Sequence, residues 1–207
     1  MADYSGGRWA GVAVLARKEL GVTDVRFGLD GEAIPDEARW VEATVDGIRF
    51  VSTYVPNGQA LDSEPFAQKL TFLEAMAERA GTLVSGPAVI AGDMNVCPTD
   101  LDVWNPAEVH GATHITEDER SRLRAVLATG YVDSFRHLHP DEPGFTWWDY
   151  RAGHFHKGYG LRIDLALATT GLAARLANAE VNRAFRKPTT VREAKPSDHA
   201  PLIVDFD

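Results

Sequence analysis

Along the 207-residue chain, short apolar blocks alternate with polar turns in a pattern that reads as strands more often than helices. Residues 9–17 (WAGVAVLAR) are the Val/Ala/Leu-rich run of a buried strand, and 24–28 form a short second one. No element is assigned before Trp9. Residues 39–55 are clearer: RWVEATV, then Asp46-Gly47, then IRFVSTYV. An Asp-Gly pair between two β-rich runs predicts a tight hairpin, and Tyr54-Val55-Pro56-Asn57-Gly58 ends its second arm in turn residues. Phe66, Leu70, Leu73, Met76 and Ala80 recur at helical spacing and predict a helix from Pro65 to about Ala80 with that stripe in the core. Ala88 to Ala91, bounded by Gly86-Pro87 and Gly92, predicts a fully buried strand. A loop rich in Pro, Asp and Asn spans 97–115. Thr116-Glu117-Asp118-Glu119 then fits a capping box, starting a helix that carries Leu123, Val126 and Leu127 inward and ends at Gly130. Further strands are expected at 145–150 (FTWWDY), 161–168 (LRIDLALA), 179–185 and 200–206 (APLIVDF). Strands dominate and helices come singly, which predicts an α+β fold, a two-sheet sandwich with helices outside.

Composition narrows the class. One domain spanning 1–207 is expected, long enough to bury about 70% of its unfolded surface. The 44% hydrophobic and 25% charged content is that of an ordinary globular protein. No apolar run approaches the ~20 residues needed to span a bilayer, so no membrane association is expected. The N-terminus has neither a basic region nor an apolar stretch of signal-peptide type, and a cytoplasmic location follows. Cys97 is the single cysteine, which excludes an internal disulfide framework or a multi-cysteine zinc site; it reads as a small, half-buried strand-end residue. The net charge of −9 argues against binding nucleic acid by bulk electrostatics. The charge is uneven: residues 1–150 carry 12 Lys/Arg against 24 Asp/Glu, or −12, and 151–207 carry 9 against 6, or +3. A less acidic C-terminal quarter suits a local phosphate-contacting surface, and Arg151, Lys157, Lys187 and Lys195 are its candidates.

The chemistry-bearing residues cluster at predicted strand ends. Asp93 and Asn95, two apart after the buried run, present a carboxylate and a carboxamide on one face if the strand continues; as plain turn formers they would bond their own backbone instead. Asp198-His199 sits between Pro196 and Pro201, a stiff presentation of an acid and an imidazole. Asp164 lies inside an apolar strand and must be paired, because an isolated buried charge is too costly. An imidazole partner would orient a histidine acid or base; Arg162 is the structural alternative. Of Trp147 and Trp148, alternation buries one and leaves the other to stack on a base or sugar. Tyr54 is left either to contact a phosphate or to cap a strand. Oxygen and imidazole donors without a thiolate select Mg²⁺ or Mn²⁺, whose common task beside a histidine is phosphoryl-ester hydrolysis.

These segments resemble a known family. Tyr54-Val-Pro-Asn-Gly, Gly92-Asp-Met-Asn95, Phe145-Thr-Trp-Trp-Asp-Tyr-Arg151, Leu161-Arg-Ile-Asp164 and Ser197-Asp-His-Ala-Pro201 occur in the order and approximate spacing of exonuclease III, an apurinic/apyrimidinic endonuclease of the endonuclease/exonuclease/phosphatase superfamily. The resemblance runs from about Gly7 to the C-terminus. It implies a four-layered α/β sandwich and Mg²⁺-dependent cleavage of DNA 5′ to an abasic site, with 3′→5′ exonuclease and 3′-phosphatase activities. It implies that His199, oriented by Asp164, contacts the scissile phosphate, and that Asp93 positions or deprotonates the attacking water with Asn95 holding it or the phosphate. Tyr54 would contact the phosphate and Asp198 would bind metal. Trp147, Leu161 and Ile163 would form the pocket for a flipped abasic sugar, with Arg151 beside them on the DNA. The departure is N-terminal: the family's opening strands and the glutamate that is its principal metal ligand have no counterpart, since Glu19 and Glu32 stand in the wrong context. The expectation is therefore an N-terminally incomplete domain with exposed sheet edges, poor stability and weak or absent Mg²⁺-dependent activity. Other readings are a non-catalytic DNA-binding remnant and a phosphoesterase of the same superfamily acting on inositol phosphates or sphingomyelin.

Overall fold

The computed structural model describes residues 1–6, 10–187 and 195–207. In chain order the strands and helices are β1 (Ala2–Gly6), β2 (Ala10–Val14), β3 (Thr23–Phe27), β4 (Trp40–Val45), β5 (Ile48–Tyr54), α1 (Glu64–Leu83), β6 (Ala88–Asp93), α2 (Glu117–Ala128), β7 (Tyr131–Asp133), α3 (Ser134–Leu138), α4 (His154–Lys157), β8 (Asp164–Thr169), α5 (Thr170–Ala173), β9 (Leu176–Val181) and β10 (Leu202–Phe206). It is a mixed α/β fold around a six-stranded sheet of order β3-β4-β5-β6-β8-β7. Only β5 and β6 run parallel, joined by the crossover helix α1; every other neighbouring pair is antiparallel.

The pattern of side chains explains the layers. On one face Trp40, Val51, Ile90, Leu165 and Leu167 pack against Phe72, Leu73 and Met76 of α1 and Leu123 and Val126 of α2. On the other face two separate two-stranded sheets are laid down. The β1-β2 pair covers Val41, Ala43 and Val45, while Leu176 of β9 and Phe206 of β10 cover Val89, Ala168 and Val132. Phe50 belongs to both clusters, so the small sheets share a face. Between them Ile48, Phe50 and Ser52 of β5 and Ala91 of β6 remain half-buried.

The hairpin forms at Asp46-Gly47, both residues at positive φ (49° and 76°), the conformation a two-residue turn requires. Helix α1 starts at the N-cap Ser63, whose hydroxyl accepts from the Phe66 amide, and α2 starts at the expected Thr116–Glu119 capping box.

Several expectations change. Residues 2–6 form β1, paired antiparallel with β2. Trp9 and Gly7, placed by the sequence at the start of the first strand and of the resemblance, lie outside the described residues. Residues 145–150 make no strand: Trp147 forms single bridges to Leu161 and His199, and its neighbours bond different partners on either side. Residues 161–163 stay outside β8 because the Ile163 and Asp164 amides donate to the Thr146 hydroxyl rather than to a ladder. Strand β9 begins at Leu176 and stops at Val181, before a single 3₁₀ turn at Arg183–Phe185. In α1 the buried position is Lys69 while Leu70 is half-exposed. Cys97 is fully buried, which pushes its thiol pKa well up. No helix among the described residues is long and apolar enough to cross a membrane.

Candidate active site

Because β5 and β6 are parallel, their C-terminal ends lie together, the usual location of ligands in such sheets. Tyr54 is the register partner of Asp93, and Asp93 is in turn opposite Asp164, the first residue of β8. The two parallel strands approach so closely here that a Cβ at Gly92 would fall 1.9 Å from the Thr53 carbonyl oxygen. With φ at 145° as well, position 92 requires glycine.

Past Asp93 the chain turns through Asn95 at φ 49°, a left-handed conformation that asparagine tolerates. The Asn95 backbone N–H donates to Asp93 Oδ1 at 2.9 Å, and Asn95 Nδ2 donates to Asp93 Oδ2 at 3.2 Å and to the Val55 carbonyl at 2.9 Å. Asn57 Nδ2 donates to Asn95 Oδ1 at 3.2 Å. The turn former and the cleft residue are thus the same carboxylate.

His199 enters from the loop before β10, and its Nδ1 lies 2.8 Å from Asp164 Oδ2. Arg162 is not the partner of Asp164; its guanidinium instead donates to Asp102 Oδ1 at 2.6 Å and Asp133 Oδ1 at 3.0 Å. Burial opposes a charge on His199, but the hydrogen bond and charge of Asp164, with Asp93 and Asp198 adding, raise its pKa to about 9. Burial is also the main cause for Asp93, joined by the nearby Asp164 carboxylate; His199 opposes them, and the Asp93 pKa rises to about 7. Trp147 Nε1 donates to Asp198 Oδ2 at 3.1 Å, tying the indole to the same rim.

These side chains enclose a cleft of about 250 Å³ lined by Tyr54, Asn57, Asp93, Asn95, His114, Trp147, Ile163, Asp198 and His199. Asp164 stands behind His199. Leu161 is buried behind the wall, packed with Cys97, Val103 and Ile163. Arg151 is outside the cleft, its side chain exposed and ion-paired to Asp149 at 2.6 Å. Trp148 is fully buried and Trp147 half-buried, the split expected from the sequence although no strand forms here. Asn57 and His114 are cleft residues that the sequence did not single out. Asn57 lay in the turn after Tyr54, and the signal for it was its place in a strand-end motif. No signal in the sequence marked His114.

The cleft offers oxygen donors of the type a hard divalent cation takes. Among the described residues, however, no group of three or more His, Cys, Asp or Glu is placed to hold a metal ion. With Asp198 at the rim already accepting from Trp147, the described residues do not by themselves make a Mg²⁺ or Mn²⁺ site.

The model of the Endonuclease/Exonuclease/phosphatase family matches residues 3–199. The chain belongs to that family. A solved 3′ phosphatase from Neisseria, bound to a product DNA hairpin, superposes with a TM-score of 0.84 at 36% identity, covering 90% of this chain and 72% of that one. An AP endonuclease from Archaeoglobus fulgidus gives 0.83 at 38% identity over the same shares. Exodeoxyribonuclease III of Haemophilus influenzae is 30% identical over 215 residues, 95% of this chain and 76% of that enzyme. Against another curated relative the chain spans 28% of the length.

Proposed function

We propose that this chain is a DNA-repair phosphodiesterase of the exonuclease III type, acting as abasic-site endonuclease, 3′→5′ exonuclease and 3′-phosphatase. The observation that carries the reading is the Asp164-oriented His199 sharing one cleft with the Asp93 carboxylate at the sheet's end. A histidine whose pKa is near 9 is an imidazolium at neutral pH, suited to stabilise a phosphate oxygen that gains charge. A carboxylate whose pKa is near 7 is poised to take a proton from water. Asn95, whose two amide hydrogens are held by Asp93 and the Val55 carbonyl, offers its Oδ1 to accept from that water, and Tyr54 offers a hydroxyl at the same rim.

DNA as substrate is supported by the Neisseria phosphatase with its DNA hairpin and by the Archaeoglobus AP endonuclease. Trp147 and Ile163 supply an apolar wall for a baseless sugar, with Leu161 as its backing; Arg151, Lys157, Lys187 and Lys195 are phosphate contacts outside it. Selecting a nucleotide that has already lost its base avoids the cost of unpairing it. The reading includes dependence on a divalent ion, Mg²⁺ or Mn²⁺, to which Asp198 would give one ligand while the described residues do not complete its site, and a cytoplasmic enzyme of one domain.

The test is cleavage of a duplex carrying one abasic site in the presence of Mg²⁺. Nicking 5′ to the site is expected, and His199→Ala should lower its rate on the order of 10²- to 10⁴-fold. If the variant nicks as fast as the parent, or neither nicks, the catalytic reading fails; DNA retention without nicking would mark a binding remnant.

A further inference from the structure

Lys69 and Glu119 are both fully buried and joined in an ion pair, Lys69 on α1 and Glu119 in the first turn of α2. Such a pair is weak evidence for stability, since desolvation consumes most of the attraction, so its contacts need another account. The two remaining N–H groups of Lys69 Nζ have three acceptors within reach, the Asn95 carbonyl at 2.6 Å, the Asn57 carbonyl at 3.1 Å and the Thr113 hydroxyl at 3.1 Å. His114 Nδ1 lies 2.5 Å from the same Asn95 carbonyl; a carbonyl only accepts, so Nδ1 carries the proton. Glu119 closes the cluster by accepting from the His114 amide and the Thr113 hydroxyl, both at 2.8 Å.

The two carbonyls belong to the loops after β5 and after β6, and the side chains of those residues meet in the cleft. We propose that Lys69, anchored by Glu119, is a positioning residue: it clamps the Asn57 and Asn95 peptides together so that their carboxamides line the cleft in one fixed geometry. Asn95 needs such a clamp because its left-handed backbone is held by no regular element. Lys69 touches no substrate itself. Its ammonium acts through peptide planes, which set where each Cα–Cβ bond points. The kinetic part of this proposal rests on the phosphodiesterase reading; the geometric part does not.

The experiment compares the parent with Lys69→Met and with the double variant Lys69→Met/Glu119→Gln. Lys69→Met alone leaves a buried unpaired carboxylate and is expected to unfold at lower temperature. The double variant removes both charges at nearly constant volume, and its thermal midpoint is expected to return towards the parent's. In folded double variant labelled with ¹⁵N-asparagine, the side-chain amide signals of Asn57 and Asn95 should move and broaden. Cleavage of the abasic duplex at saturating DNA should fall on the order of 10- to 100-fold, while the half-saturating DNA concentration stays within about twofold, as for lost orientation rather than lost binding. A folded double variant whose Asn57 and Asn95 signals are unmoved overturns the proposal, as does one that cleaves at the parent rate. If the parent itself does not cleave, the function reading falls, and the amide signals still decide for or against the clamp.

Discussion

Asp93 spends one oxygen on the Asn95 backbone and the other on the Asn95 carboxamide, yet it still lines the cleft. Its use as a base therefore depends first on its burial and then on the charges of the Asp164–His199 pair. Replacing Asp164 by Asn keeps the shape but removes the acceptor charge that fixes the imidazole. Cleavage of the abasic duplex by Asp164→Asn should drop on the order of 10- to 100-fold, with DNA affinity by filter binding unchanged. An undiminished rate would show that His199 needs no orienting carboxylate. This pair was legible because an acid inside LRIDLALA demands a partner and a histidine framed by prolines offers one. Lys69 was not, because Leu70 one position later satisfied the apolar stripe equally well. Its signal was positional: three after Phe66 and four before Leu73, it lies on the buried face of α1.

The β4–β5 hairpin, α1, β6 and α2 were readable because each carries local instructions: an Asp-Gly turn, a proline in the first helical turn, a short apolar run, a capping box. The segment 145–150 carries β-forming residues but no single neighbour to pair with, and the choice of partner is made by chain far away. Glu42 of β4 is another contact invisible to local pattern. Fully buried, it accepts from Trp40, from Arg49 of β5 and from Arg79 of α1, tying the hairpin to the helix. Burial would raise its pKa, but the hydrogen bonds from Arg79, Trp40 and Arg49 outweigh this and hold it at about 2 against an ordinary 4.5. A lowered carboxyl pKa stabilises the fold above 4.5, and that contribution is lost as pH falls towards 2. Glu42→Gln should therefore be less stable than the parent at pH 7, and the difference should shrink between pH 4.5 and 2. Urea unfolding at a series of pH values measures it; a difference independent of pH would mean that the charge contributes nothing.

Across the whole molecule, the two small sheets cover the ends of one face of the central sheet and leave β5 and β6 half-covered between them. Among the described residues β2 pairs only with β1 and β10 only with β9, so each has a free edge. Free edges beside apolar surface invite pairing between copies. Sedimentation should show association that grows with concentration, and Ile203→Lys, at a β10 position that is 36% exposed, should reduce it without changing the circular dichroism. Association unaffected by that charge would place the contact elsewhere. The sequence anticipated exposed edges from the resemblance, whereas β1 escaped it because MADYSGG has no apolar alternation. Gly92 carries a consequence for assembly. Were β6 to pair with β5 one residue out of register, Ala91 or Asp93 would stand against the Thr53 carbonyl, and its Cβ would land where only a hydrogen fits. The missing side chain thus favours the one β5–β6 register that sets Tyr54 beside Asp93.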